Sequence, residues 1–142
     1  MLKGISHVLS PELLKILMEM GHADEIVLGD TNFPAASHAQ RLVRADGHGI
    51  PALLNAILPL FPLDTYVESP VALMAVTPGD TVETPIWDEY REIVQQFHAV
   101  PIEFDEVDRF SFYERAKNAY AIVSTGEKAL YANVILKKGV VI

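Results

Sequence analysis

Residues 20–34 read MGHADEIVLGDTNFP, which sets one imidazole and two carboxylates around a five-residue, mostly apolar run. An imidazole gives and takes a proton near neutral pH, and a carboxylate accepts hydrogen bonds from hydroxyls and amides. His22 and Asp24 precede EIVLG, and Asp30 follows it. In an open α/β sheet, ligands sit beyond the carboxyl ends of strands, which is where Asp30 falls. Locally two readings stand: polar residues that solvate a buried strand and cap its turns, or groups that converge on a ligand. Further along, Arg109 follows EVD and opens an aromatic-rich helix, while Tyr131 and Asn133 alternate and so share one strand face. Each has a plain alternative: a surface ion pair, a half-buried phenol, a turn amide.

These groups are only as useful as the elements that hold them. SPELLKILMEM, residues 10–20, predicts a helix capped by Ser10 with Pro11 at its first position; Gly21 stops it by taking a left-handed conformation. EIVLG (25–29) and VALMAV (71–76) are continuous apolar runs that read as strands covered on both faces. DTNFPA reads as a loop, RLVRAD (41–46) as a weaker strand, and residues 50–60 as an apolar helix opened by Pro51. PIWDEYREIVQQFHA, residues 85–99, is an amphipathic helix with Ile86, Tyr90, Ile93, Val94 and Phe97 on one stripe. IEFDEV then predicts a strand, RFSFYERAKN (109–118) a helix, and YAIVST and YANVILKKG two strands around the turn TGEKAL. Helices alternating with buried strands predict an α/β fold: one three-layer domain over residues 1–142, its largely parallel sheet covered by helices on its faces.

Composition removes several function classes. The net charge of −8 leaves no basic footprint for a nucleic-acid partner. The chain has no cysteine, which rules out disulfides, thiolate metal sites and cysteine nucleophiles and suits a cytoplasmic location. His7, Ser10 and Pro11 interrupt any signal-like N-terminal core, and no apolar run approaches the roughly 20 residues that span a bilayer. There is no G-x-G-x-x-G, P-loop, nucleophile elbow or H-E-x-x-H, so no metal or cofactor is expected. Half of the residues are hydrophobic, more than a monomer of this size usually carries, and this points to a homo-oligomer.

Taken in order, SPELLKILMEMGHADEIVLGD, FPA, RADG, RFSFYERAKNAYAIVSTGE and YANVILKKGV resemble the ribose pyranase and fucose mutarotase family over essentially the whole chain. GHADEIVLGD and YANVILKKG are the strongest signatures; FYERA…TGE and RADG look closest to the L-fucose branch. The resemblance implies a cofactor-free isomerase that interconverts cyclic forms of a free monosaccharide. It places the acid/base histidine at His22 and sugar binding at Asp30, Arg109, Tyr131, Ala132 and Asn133, where Ala132 could offer only its backbone. It also implies ring-shaped homo-oligomers, commonly decamers. Asp24 stands as a residue that could orient the imidazole. Two alternatives remain: a D-ribose pyranase, and a non-catalytic sugar-binding protein associated with uptake.

Overall fold

The computed structural model describes residues 1–142. α1 (Pro11–Glu19) begins as its sequence dictates: Ser10 Oγ accepts the Leu13 N–H at 3.1 Å, and Pro11 fills the first position, where no N–H is needed. Its exit differs from expectation. Met20 leaves the helix in an extended conformation, and the left-handed residue is Ala23 (φ 71°), not Gly21. Residues 21–24 close a turn through Asp24 N–H to the Gly21 carbonyl (3.2 Å), and Ala23 occupies the position that demands positive φ.

β1 (Glu25–Gly29), α2 (Ala35–His38), β2 (Leu42–Ala45), α3 (Ile50–Ile57) and β3 (Val71–Met74) follow, and then α4 (Pro85–Gln96), β4 (Phe104–Val107), α5 (Arg109–Asn118), β5 (Ala121–Thr125) and β6 (Val134–Lys137). The segment expected as loop up to Ala35 thus runs directly into a one-turn helix. The six strands form one sheet in the order β2-β5-β1-β6-β3-β4. β1 pairs in parallel with β5 and β5 with β2, as β3 does with β4; only β6 runs antiparallel, wedged between β1 and β3. The expected three-layer, largely parallel α/β domain is what forms.

Strand alternation splits the core. Ile26 and Leu28 face the layer of α1, α3 and α4, while Val27 faces Phe33, Phe112 and Ala116 on the α2–α5 side. Because β6 is reversed, its leading end lies at the same sheet edge as the carboxyl ends of the other five strands. Asp30, the segment after Met74, Arg109 and residues 131–133 therefore meet at one edge. No helix is long and apolar enough to cross a membrane.

Candidate active site

At that edge is an open cavity of about 270 Å³, lined by Asp30, Asn32, Phe33, Met74, Thr77, Asp80, Arg109, Tyr113, Leu130, Tyr131 and Asn133. It lies just under the roughly 300–1,000 Å³ usual for ligand sites, which suits a small molecule. Its polar groups converge from four segments, and its apolar ones supply flat or flexible surface.

Asp30 is the buried anchor, 6 % exposed. Its N–H donates to Asn133 Oδ1 at 2.8 Å, and its Oδ1 accepts the Asn32 N–H at 2.9 Å. Burial pushes its carboxyl above the ordinary range and the Glu127 charge adds to this, against the backbone N–H groups of Asn32, Ala132 and Phe33. Since Asn133 spends its carbonyl oxygen on Asp30, its amide NH₂ is what it can turn to a ligand. Arg109 opens α5 and offers a planar fork of donors, and Tyr113 lies one turn further along the same helix face.

Residues 131–133 are not part of the β6 ladder, contrary to the strand expected from Tyr131 onward. Tyr131 sits at φ 55°, in the left-handed region, and the pairing begins only at Val134. Strand alternation therefore does not aim Tyr131 and Asn133 into the cavity. The segment is held from behind by α4: Trp87 Nε1–H donates to the Tyr131 carbonyl and the Tyr90 hydroxyl to the Ala132 carbonyl, both at 2.7 Å. Ala132 is fully buried and does not line the cavity; its carbonyl is taken by Tyr90 and its N–H faces Asp30.

His22 is elsewhere. An extended five-residue strand runs roughly 16 Å, so His22, ahead of β1, and Asp30, behind it, lie at opposite sheet edges and do not converge within one chain. At its own edge the imidazole is half-exposed, with Nε2 3.0 Å from Asp64 Oδ1 and the exposed Tyr66 ring 5.2 Å away, centroid to centroid. Asp64 is buried, and burial alone raises its pKa; the Tyr66 N–H and the His22 ring outweigh that and hold it below the ordinary range. An ionised carboxylate only accepts, so Nε2 carries the proton and Nδ1 is the free nitrogen. Asp24 does not orient the ring. Its Oδ2 accepts the Gly21 N–H at 2.7 Å and tightens the turn that carries His22.

Asp64, Asp80, Tyr90, Trp87 and Tyr113, which contact the candidate residues or line the cavity beside them, were not singled out as site candidates in the sequence. Asp64 lies 42 residues from His22 and reaches it because its N–H donates to the Lys137 carbonyl, at the trailing end of β6. Tyr90 gave a signal only as a member of an amphipathic stripe, and Trp87 gave none. No cluster of three or more His, Asp or Glu side chains gathers where a metal ion could be held.

A fold that gathers hydrogen-bonding groups beyond the carboxyl ends of a parallel sheet defines a class of small-ligand α/β proteins. Within that class, this chain belongs to the RbsD / FucU transport protein family, whose model matches residues 3–141. It is 55 % identical to the fucose mutarotase of Homo sapiens, over 98 % of this chain and 94 % of that one. It is 50 % identical to the L-fucose mutarotase of Actinobacillus pleuropneumoniae serotype 5b, over 99 % and 97 %. The crystal structure of the fucose mutarotase of Streptococcus pneumoniae in complex with L-fucose superposes with a TM-score of 0.95 at 53 % identity, covering 99 % of this chain and all of that one.

Proposed function

We propose that this chain is a cytoplasmic L-fucose mutarotase that works as a ring-shaped homo-oligomer, its site assembled from two copies. The observation that carries the reading is the cavity at Asp30, which gathers Arg109, Tyr131 and Asn133 in a chain half identical to fucose mutarotases along its whole length.

Mutarotation opens and recloses a hemiacetal. O1 loses its proton while the ring oxygen gains one, and the C1–O5 bond breaks. The aldehyde group then turns about C1–C2, the ring closes on the other face, and both protons return. The step calls for a group that donates and accepts near neutral pH, and positioned transfer of this kind is worth about 10²–10⁴ in rate. His22 has this capacity at Nδ1, with Asp64 fixing ring and tautomer. Asp30 accepts from sugar hydroxyls, Arg109 donates to them, and Asn133 donates through its amide.

His22 and Asp30 serve one sugar only if His22 of one copy caps the cavity of another. The exposed imidazole, the Tyr66 ring beside it and the exposed Met18 one turn back on α1 suit that contact. Saturation-transfer NMR on L-fucose, D-ribose and D-galactose tests both parts. Acceleration of L-fucose exchange above the other two supports the substrate, and exchange of D-ribose alone would replace it with a pyranase. At sugar levels below KM, His22→Ala and Asp30→Asn proteins should each be silent. Hetero-oligomers formed from equal amounts should regain about a quarter of wild-type exchange, because a quarter of shared sites draw both groups from intact copies. No recovery would refute the shared site.

A further inference from the structure

One wall of the cavity comes from the segment between β3 and α4. There Thr77–Pro78–Gly79–Asp80 closes as a β-turn, with the Asp80 N–H donating to the Thr77 carbonyl at 3.0 Å. Gly79, third in the turn, has φ 90°, and Pro78 precedes it. That is the sequence a type II turn asks for: proline presets one φ, and glycine takes the positive φ of the next residue without a Cβ penalty. The turn is thus shaped by its own four residues before any ligand arrives.

It presents the Thr77 N–H and the Asp80 carboxylate together, and both meet one phenol. The Tyr131 hydroxyl donates to Asp80 Oδ2 at 2.7 Å and accepts from the Thr77 N–H at 3.3 Å. A phenol has a single proton to give. With that proton directed at Asp80 Oδ2, the Tyr131 hydroxyl has none to offer a sugar. Asp80 Oδ1 has no protein donor, and both Asp80 and Thr77 line the cavity that holds Asp30 and Asn133.

We propose that this turn is a sugar-recognition element: Asp80 Oδ1 accepts a hydroxyl of the monosaccharide, and the Tyr131 hydroxyl is the clasp that fixes the turn. A carboxylate facing a ring hydroxyl disfavours a sugar that lacks a donor at that point, because its charge-assisted bond goes unmade. This wall therefore contributes to the preference among monosaccharides, beside Asp30, Arg109 and Asn133. The inference rests on the monosaccharide reading of the cavity and not on turnover.

Trp87, the single tryptophan, donates its indole N–H to the Tyr131 carbonyl, so its emission reports on residues 131–133 when a sugar binds. Titrating wild type, Asp80→Asn, Asp80→Ala and Tyr131→Phe with L-fucose, D-ribose and D-galactose gives dissociation constants without turnover, and saturation-transfer NMR adds kcat and KM. Asp80→Asn keeps a carbonyl oxygen for the clasp but replaces the free acceptor with a donor. Its Kd for L-fucose should rise about tenfold, the worth of one hydrogen bond to a charged group, and KM should rise with it. Asp80→Ala and Tyr131→Phe should also bind L-fucose more weakly and flatten the preference among the three sugars.

Wild-type Kd values and wild-type selectivity in both Asp80 variants would overturn the inference. So would an equal loss of affinity for all three sugars accompanied by a lower melting temperature. A wild-type chain that binds L-fucose but speeds no exchange would refute the mutarotase reading alone, with the variant Kd values still deciding the role of the turn. One that binds none of the three would overturn both.

Discussion

Removing a single hydroxyl tests whether α4 holds the sugar-binding segment. Tyr90 is fully buried, and its phenol donates to the Ala132 carbonyl at 2.7 Å. Burial, with the charges of Glu127, Asp30 and Glu89 adding, pushes this phenol far above its ordinary range, so it remains a donor at any working pH. Tyr90→Phe keeps the ring and its packing and leaves the Ala132 carbonyl without that donor. A buried, orphaned acceptor costs about 1–3 kcal/mol, so we expect a loss of about 2 kcal/mol. At roughly 2–4 °C per kcal/mol for a chain near this size, the melting temperature should fall by about 4–8 °C. If the whole loss instead fell on the ordering of residues 131–133 in an otherwise folded chain, sugar affinity would drop by at most about 30-fold. Urea unfolding and Trp87-monitored sugar titration on the same samples separate the two. A variant with wild-type unfolding midpoint and wild-type sugar affinity would refute the claim that this bond holds the segment.

Two further outcomes follow from the electrostatics of the site. Asp30 has a raised folded-state pKa, so the ionised carboxylate destabilises the fold; the term is absent below the unfolded value near 3.8 and grows as pH rises through the folded pKa. Asp30→Asn should therefore melt higher than wild type at pH 7, with the gap closing as pH falls toward 3.8, while sugar affinity is lost; a lower melting point at pH 7 would contradict the burial argument. Glu127 accepts the Ile50 N–H at the start of α3 with Oε1 and the Ala129 N–H with Oε2, where Gly49 provides no side-chain cap. Glu127→Ala should cost about 1–2 kcal/mol in urea unfolding, and Glu127→Gln less, since its amide oxygen can keep one of the two bonds. Equal losses in the two variants would show that the carboxylate matters for its charge and not for these bonds.

Much of the architecture was legible because it is written in short-range chemistry. Ser10 and Pro11 start α1, the apolar run EIVLG makes a buried strand, and RFSFYERAKN forms a helix over the range its pattern indicates. Asp30 was legible too, because a carboxylate directly after a buried strand can only emerge at that strand's carboxyl end. The TPGD turn is short-range chemistry as well, a proline and a glycine where a type II turn needs them, but it passed unremarked in the sequence. The left-handed residue was misplaced: Gly21 is the residue best able to take that conformation, but the hydrogen-bonded turn puts Ala23 there.

Sheet order and partner choice were settled only by the tertiary structure. The sequence lists β6 last, and no local propensity says that it runs antiparallel between β1 and β3. That placement brings residues 131–133 beside Asp30 and the trailing end of β6 beside Asp64, and so makes one edge a cavity and the other a histidine–carboxylate pair. It is decided by which apolar faces can be buried together across a hundred residues of chain, a long-range packing condition that no window of sequence contains. The same condition separates His22 from Asp30. Neighbours in the text of the sequence, they are held apart by the strand between them.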